Sequence, residues 1–343
     1  MKKVLIISDQ IPGHFNQSIG ICALLNENIG VKYTIIEMHW RINAFRFLFR
    51  IISRMLCKNL TNFNSKLIVS FFKKIDVSGY DLLIASGGNT FFINAALSKL
   101  HGIPNIQLGS PRGIKSELFN AHLTAQRYSN SDNNIVYDVT PNKYSPKACM
   151  SNNEVEKNIL LLFGGNGMGY EYLDLDVKNI IETMNTLTKK NKKQLICVTS
   201  RRSKENHENI LRENLNNLSK RSIWFHRGGK NANLRDLFSL SDFIFVTEDS
   251  AMMISESISS GKIVTTLFPE KVVTPKRYKN HIDLYLNKGF IFRSKIGDQL
   301  VLRKNNDHSQ KIEESRKKLL NQILCNIDLS LIHISEPTRR DPI

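Results

Sequence analysis

Phe243–Gly261 reads FIFVTEDSAMMISESISSG. An apolar run, Phe243 to Val246, leads into the polar cluster Thr247-Glu248-Asp249-Ser250, and a helical pattern begins at Ala251. Aromatic and β-branched residues at the front read as a strand; an Asp or Ser just ahead of a helix reads as its N-cap. Either Asp249 or Ser250 can accept bonds from the free N–H groups of the first turn. A strand passing into a capped helix is a βα junction, and open parallel sheets bind ligands at the carboxyl ends of their strands. Acidic groups there suit ribose hydroxyls, and free amides suit phosphate. The segment points to an α/β fold with a nucleotide-sugar site, Met253 and Glu256 lying on the first turns of the helix.

Outward from this junction the same alternation recurs. Strands are expected at Val4–Ser8, Tyr33–Glu37, Asp81–Ala85, Pro104–Leu108, Ala121–Thr124 and Ile135–Val136, with helices over Phe15–Asn26 and up to about Leu100. A polar stretch with Pro141 and Pro146 follows, and the pattern restarts. The second set is strands at Asn158–Phe163, Gln194–Thr199, Ser222–Phe225, Phe243–Val246 and Lys262–Leu267. Helices fall near Asp176–Leu187, Glu205–Leu218, Leu234–Leu240, Ala251–Ser259 and Ser309–Asn326. Strands alternating with helices mean parallel sheets wrapped by helices. The expectation is α/β: two Rossmann-like domains facing a cleft, at 1–140 and 158–328, joined by a linker at 141–157.

Composition narrows the class. A length of 343 residues favours two domains, and 41% hydrophobic content supplies their cores. No apolar run reaches the roughly 18 residues of a spanning helix. Asp9 cuts the first apolar run, which reads as a strand rather than a signal peptide. The five cysteines, at 22, 57, 149, 197 and 325, form no CxxC pair. They fit reduced thiols and neither a zinc site nor a disulfide framework. A net charge of +17 implies an anionic partner. No nucleic-acid recognition motif accompanies it, so nucleic acid is not the expected partner. Leu329–Arg339, LSLIHISEPTR, reads as the translation of a transposon-end sequencing adapter, so 329–343 are set aside as foreign.

The stretch 40–75 differs from both domains. Arg46, Arg50, Arg54 and Lys58 recur at every fourth position, among Phe45, Phe49, Ile52, Met55 and Leu56. A basic helix with bulky apolar residues suits an anionic membrane interface, and Lys66–Lys74 repeats the mix. The same stripe also fits an ordinary solvated helix face.

Chemistry-bearing residues cluster after strand ends. Asp9 and Gly13-His14 follow the first strand, with Asn16 and Gln17 close behind. His14 suits a general base on an acceptor hydroxyl or a brace for its own loop; Asp9 is the other candidate base. Gly87, Gly88 and Asn89 form a glycine turn opening a helix and complete the acceptor side. Gly164 and Gly165 occupy the equivalent place in the second half, and the loop to Gly169 lacks the register of a dinucleotide fingerprint. Ser200, Arg201 and Arg202 follow another strand, where paired arginines suit a phosphate. His226-Arg227-Gly228-Gly229-Lys230 is a further basic loop.

Several of these pieces resemble the elongated-mitochondria fission-factor family: Pro12-Gly13-His14 with Asn16-Gln17, Gly109-Ser110-Pro111-Arg112, Thr199-Ser200-Arg201-Arg202, and Val246-Thr247-Glu248-Asp249-Ser250 with Met253, Ser255-Glu256 and Gly261-Lys262. The glycine loop lacks the proline and lysine of the family pattern, and Ile263 stands where it has proline. The resemblance implies a GT-B architecture, acceptor on the first domain and nucleotide-sugar on the second, with Glu256 placed to contact the donor ribose. It implies a metal-independent glycosyltransferase without cofactor, nucleotide-sugar being a co-substrate. The acceptor would be a cell-envelope glycan or lipid-linked molecule, at the inner face of the cytoplasmic membrane. Plant relatives act as adaptors in organelle division, so the alternative is a non-catalytic adaptor of the same fold at a membrane surface.

Overall fold

The computed structural model describes residues 1–150, 158–229, 233–303 and 307–327. The chain divides into two compact units, one of residues 1–143 with the chain from Arg316 onward, the other Tyr144–Ser315. The division falls inside the stretch read as a linker, whose residues 151–157 lie outside the described ones, as does the 329–343 tail. The second unit stops at Ser315, short of the expected 328.

The first unit is built from β1 (Lys2–Ser8), α1 (Pro12–Ile29), β2 (Val31–Glu37), α2 (Arg46–Leu56), α3 (Asn62–Ser70), β3 (Leu82–Ser86), α4 (Phe91–His101), β4 (Asn105–Leu108), β5 (Ala121–Thr124) and β6 (Asn134–Val136). Its strands form one parallel sheet in the order β2-β1-β3-β4-β5-β6. Side chains alternate across a strand, so β1 feeds two cores. Val4 and Ile6 pack with Ile21 and Leu25 of α1, while Leu5 and Ile7 pack with Ile68 of α3 and Phe92 of α4. Helices on both faces are why the central strands read as unbroken apolar runs.

The second unit holds β7 (Asn158–Gly165), α5 (Asp174–Asn191), β8 (Leu195–Arg202), α6 (Glu205–Asn214), α7 (Leu234–Ser239), β9 (Ser241–Thr247), α8 (Ala251–Ser259), β10 (Ile263–Phe268), α9 (Lys276–Asn287), β11 (Phe292–Lys295) and the start of α10 (His308–Asn326). Its strands are parallel in the order β11-β10-β9-β7-β8. The later turns of α10 belong to the first unit, where Leu319, Leu320 and Ile323 join the core beside α1.

Both sheets are α/β and doubly wound: the second strand lies on one side of the first, and the third on the other. Such a reversal opens a crevice at the carboxyl ends of the two inner strands. Here those are β1 and β3 in one unit and β7 and β9 in the other. The structure departs from expectation in two places. Ser222–Phe225 is not a strand: only Ile223 bridges β8, at Val198, and Phe225–Arg227 turn as a short 3-10 helix. The stretch past Phe268, for which the sequence reading named no element before Ser309, holds α9 and β11.

Candidate functional site

At the first switch point β1 delivers Asp9 and β3 delivers Gly87, Gly88 and Asn89. The Asp9 side chain is 2% exposed, and its two oxygens lie 3.1 and 3.0 Å from His14 Nδ1. Asn89 Nδ2 donates to the same carboxylate at 3.2 Å. Burial alone would raise the Asp9 carboxyl. The hydrogen bond and charge of His14, the Ile11 N–H and Asn89 outweigh it and hold the acid below the ordinary carboxylate range. Because Asp9 accepts at Nδ1, Nε2 is the ring nitrogen left to exchange a proton with another group. His14 remains 31% exposed while Asp9 is closed off. Between the two candidate bases, the geometry makes His14 the accessible one and Asp9 its orienting partner.

Gly87 is what lets the imidazole sit there. Its φ is +90, and a Cβ at this position would stand 2.2 Å from His14 Nδ1. Gly87→Ala is therefore expected to cost about 1–2 kcal/mol in backbone conformation and to push the ring off Asp9. Thermal melting and the disappearance of the hydrogen-bonded Nδ1–H resonance check this; an unchanged resonance would mean the ring does not depend on the gap. Of the other acceptor-side residues, Gln17 accepts from Ser86 Oγ at 3.3 Å, bracing the turn, and Gly88 passes beside the Arg112 side chain. Gly13 and Asn16 lie in the first turn and a half of α1, and among the described residues no side-chain hydrogen bond ties them to the His14 cluster.

At the second switch point β7 ends in Gly164-Gly165 and β9 runs into Glu248-Asp249-Ser250. The N-cap of α8 is Ser250, whose Oγ accepts from Met253 N at 3.4 Å. Asp249 turns the other way. Its carboxylate accepts from Arg202 Nη2 at 2.6 Å and from Thr247 Oγ1 at 2.7 Å. A Cβ on Gly164 would meet that carboxylate at 2.4 Å, so the glycine makes room for the acid. Burial pushes the Asp249 carboxyl up to about 6, against the pull of Arg202 and of the Thr247 hydroxyl. Ser200 Oγ donates to the Gly164 carbonyl, and Ser203 Oγ donates to Phe163 O at 3.0 Å, tying the end of β8 to the glycine turn.

The two arginines part company. Successive residues on a strand face opposite ways, and Arg202 goes to Asp249 while Arg201 is exposed and, among the described residues, without an ion-pair partner. Glu248 faces inward with both oxygens occupied. Arg293 Nε and Nη2 approach at 2.7 and 2.9 Å, Thr266 Oγ1 donates at 2.7 Å and Tyr170 OH at 2.9 Å. Its backbone is held as well: Tyr172 OH accepts from Glu248 N at 2.9 Å, and Tyr278 OH donates to Glu248 O at 2.7 Å. Glu248 is thus a clamp under the site rather than a free ligand for a nucleotide. Glu256 and Met253 are half-buried on α8, and the Glu256 charge adds to the burial that raises the Tyr144 phenol. His226 is also spoken for, its Nε2 lying 2.7 Å from Ser203 O, and Lys230 falls outside the described residues. Tyr170, Tyr172, Thr266, Tyr278 and Arg293 had no local signal, since each finds Glu248 only through the fold.

Among the described residues no group of three or more His, Cys, Asp and Glu is placed to hold a metal ion. None of their helices is long and apolar enough to cross a membrane.

A family model described as Mitochondrial fission ELM1 matches residues 12–309. The chain belongs to this family. The ELM1 match takes in both switch points from His14 onward and leaves Asp9 just outside it. A search of curated proteins found no match to this ELM1-family chain. Among solved structures it is similar to the glycotransferase of kitacinnamycin, with 10% identity over 96% of this chain and 99% of that one and a TM-score of 0.49. It is similar to MurG of Acinetobacter baumannii, with 13% identity over 95% of each chain and a TM-score of 0.47. The glycosyltransferase SsfS6 of Streptomyces sp. SF2575, complexed with thymidine diphosphate, gives 11% identity over 96% and 98% and a TM-score of 0.45. At these identities none of the likenesses bears on activity.

Proposed function

We propose that this ELM1-family chain is a metal-independent glycosyltransferase of GT-B type, moving a sugar from a nucleotide-sugar to a hydroxyl of a cell-envelope glycan or lipid-linked acceptor. The observation that carries the reading is His14, held at a switch point by a buried carboxylate through Nδ1 while its own side chain stays partly exposed. In this reading Nε2 takes the proton of the acceptor hydroxyl as its oxygen bonds to the anomeric carbon. The bond from that carbon to the diphosphate oxygen breaks, and its electrons leave with the nucleoside diphosphate. Arg202 and Arg201 meet the charge that develops on the leaving group, in place of a metal. The α8 amides, Ser250, Met253 and Glu256 receive the nucleotide beside Gly164 and Gly165. Arg202 is held by Asp249, so in this reading a diphosphate has to draw it away.

Peripheral membrane contact belongs to the same proposal. On α2, Phe47, Leu48, Ile51 and Met55 are 75, 49, 44 and 64% exposed, next to the row Arg46, Arg50 and Arg54. Exposed apolar residues beside cations suit an anionic bilayer surface on its cytoplasmic side. Lys58 follows the helix end and extends the row.

Melting temperature measured against UDP-, GDP-, dTDP- and CMP-sugars and the free nucleotides tests the reading. A ligand at one hundred times its Kd stabilises the folded state by about 2.7 kcal/mol. A rise with one nucleotide class, lost in Glu256→Ala, is the expected result. No rise with any of them, from folded protein, would favour the adaptor alternative. That alternative already has one observation on its side: both acids of the Thr247–Ser250 cluster are engaged inside the protein.

A further inference from the structure

Beside the His14 site the first unit carries a cleft of about 560 Å³, within the roughly 300–1,000 Å³ range of small-molecule sites. Asp9 and Asn89 line one part of it, Trp40 and Phe47 another, and Arg46 and Arg50 of α2 a third. The 40–75 stretch also helps to wall this cleft, through Trp40, Arg46, Phe47 and Arg50, and the cleft reaches the orienting carboxylate of His14. The wall is held in place by stacked rings, Trp40 on Phe72 at 4.2 Å and Phe49 on Phe71 at 4.5 Å between centroids.

The guanidinium groups of this cleft lack ion-pair partners among the described residues. Arg46 and Arg50 stand one helical turn apart, where like charges repel. Among the described residues neither has an ion-pair partner. The two acids nearby are committed elsewhere: Asp9 to His14 and Asn89, and Glu37 to Gln10 at 3.0 Å and His39 at 3.4 Å. Two guanidinium forks on one wall of a pocket match the oxygens of a phosphate or carboxylate.

We propose that this cleft takes an acceptor bearing an oxyanion group, a phosphate or carboxylate, gripped by Arg46 and Arg50 with the reacting hydroxyl toward the Asp9–His14 pair. The inference deepens the glycosyltransferase reading and rests on it for the word acceptor. The oxyanion can come from a soluble sugar phosphate or from an anionic lipid headgroup whose chain leaves along exposed Phe47.

Binding is measured by calorimetry on the full chain with glycerol 3-phosphate, and by flotation with phosphatidylglycerol vesicles against phosphatidylcholine vesicles. Losing one charge-assisted contact weakens binding about tenfold or more, so Arg46→Gln and Arg50→Gln are each expected to do so. Arg54→Gln, on the same stripe but outside the cleft lining, is expected to leave binding of glycerol 3-phosphate unchanged. Asp9→Asn is expected to tighten it by removing a negative charge from the wall. Retention on phosphatidylglycerol without glycerol 3-phosphate binding, lost in Arg46→Gln and in Arg50→Gln but only weakened in Arg54→Gln, assigns the headgroup as the source. Equal losses in all three arginine variants would overturn the proposal in favour of diffuse surface charge, as would no binding to either probe. A nucleotide-induced rise in melting temperature with no anion binding here would sink this inference alone. Anion binding with no nucleotide response would leave the cleft standing and remove the transferase reading.

Discussion

Glu248→Ala is expected to destabilise the protein more than a change at any other site residue. Breaking a buried ion pair from one side costs about 3–5 kcal/mol, because it strands the remaining charge and its hydrogen-bond partners. Arg293 would lose its bidentate partner, and Thr266 Oγ1 and Tyr170 OH would lose their acceptor. The Arg293 side chain is 26% exposed and stacks on Phe268 at 4.0 Å, so water can recover part of its solvation and the loss should fall toward the lower end of that range. For a unit of this size the melting temperature would drop by on the order of 10 °C. The drop is expected without any ligand present, which separates a clamp from a ligand-binding residue. Glu248→Ala protein that melts like the parent yet no longer responds to nucleotide would show that Glu248 binds the ligand after all.

The largest effect on turnover is expected at His14. Removing a general base lowers kcat by about 10²–10⁴, and His14→Ala should do so while leaving nucleotide-induced stabilisation intact. Asp9→Asn keeps the shape but can donate to Nδ1 and so favour the unproductive tautomer; its loss should follow that of His14 and not add to it in the double variant. If Asp9→Asn abolished turnover while His14→Ala lowered it only a few-fold, the carboxylate would be the base and the imidazole its brace. Unchanged turnover in both would remove the pair from the chemistry.

The central strands were readable because a strand buried on both faces is apolar at every position, as in β1, β3 and β7. Phe292–Lys295 reads FRSK and, among the described residues, pairs with β10 alone at the sheet edge, so it had no apolar run to announce it. Helix α9, KRYKNHIDLYLN, buries Tyr278, Ile282 and Tyr285 along its inner face, and the charged and polar residues between them hide that stripe. The same contrast divides the sites. Asp9 and His14 are five residues apart and could be linked by eye. Asp249 finds Arg202 across 47 residues and Glu248 finds Arg293 across 45, pairings that exist only once β7, β8, β9 and β11 are side by side. Sequence spacing placed the acidic cluster at a functional edge but could not tell which carboxylate faces the ligand side and which is spent within the fold. On α2 the regular spacing of arginines was plain, while the sorting of its apolar residues was not: Phe49, Ile52 and Leu56 turn inward and Phe47 and Ile51 outward.

The last turns of α10 give the two units different histories on the ribosome. Residues 144–315 form a continuous stretch, so the second unit has all its parts before residue 316 is made. The first unit does not: Ile21, Leu24 and Leu25 share their core with Leu319, Leu320 and Ile323. One side of its sheet is translated early and stays partly uncovered while the whole of the second unit is added. During that interval an apolar surface is open to aggregation or to a chaperone. Order of synthesis and order of completion are thus reversed in this chain, the half made first being the half finished last.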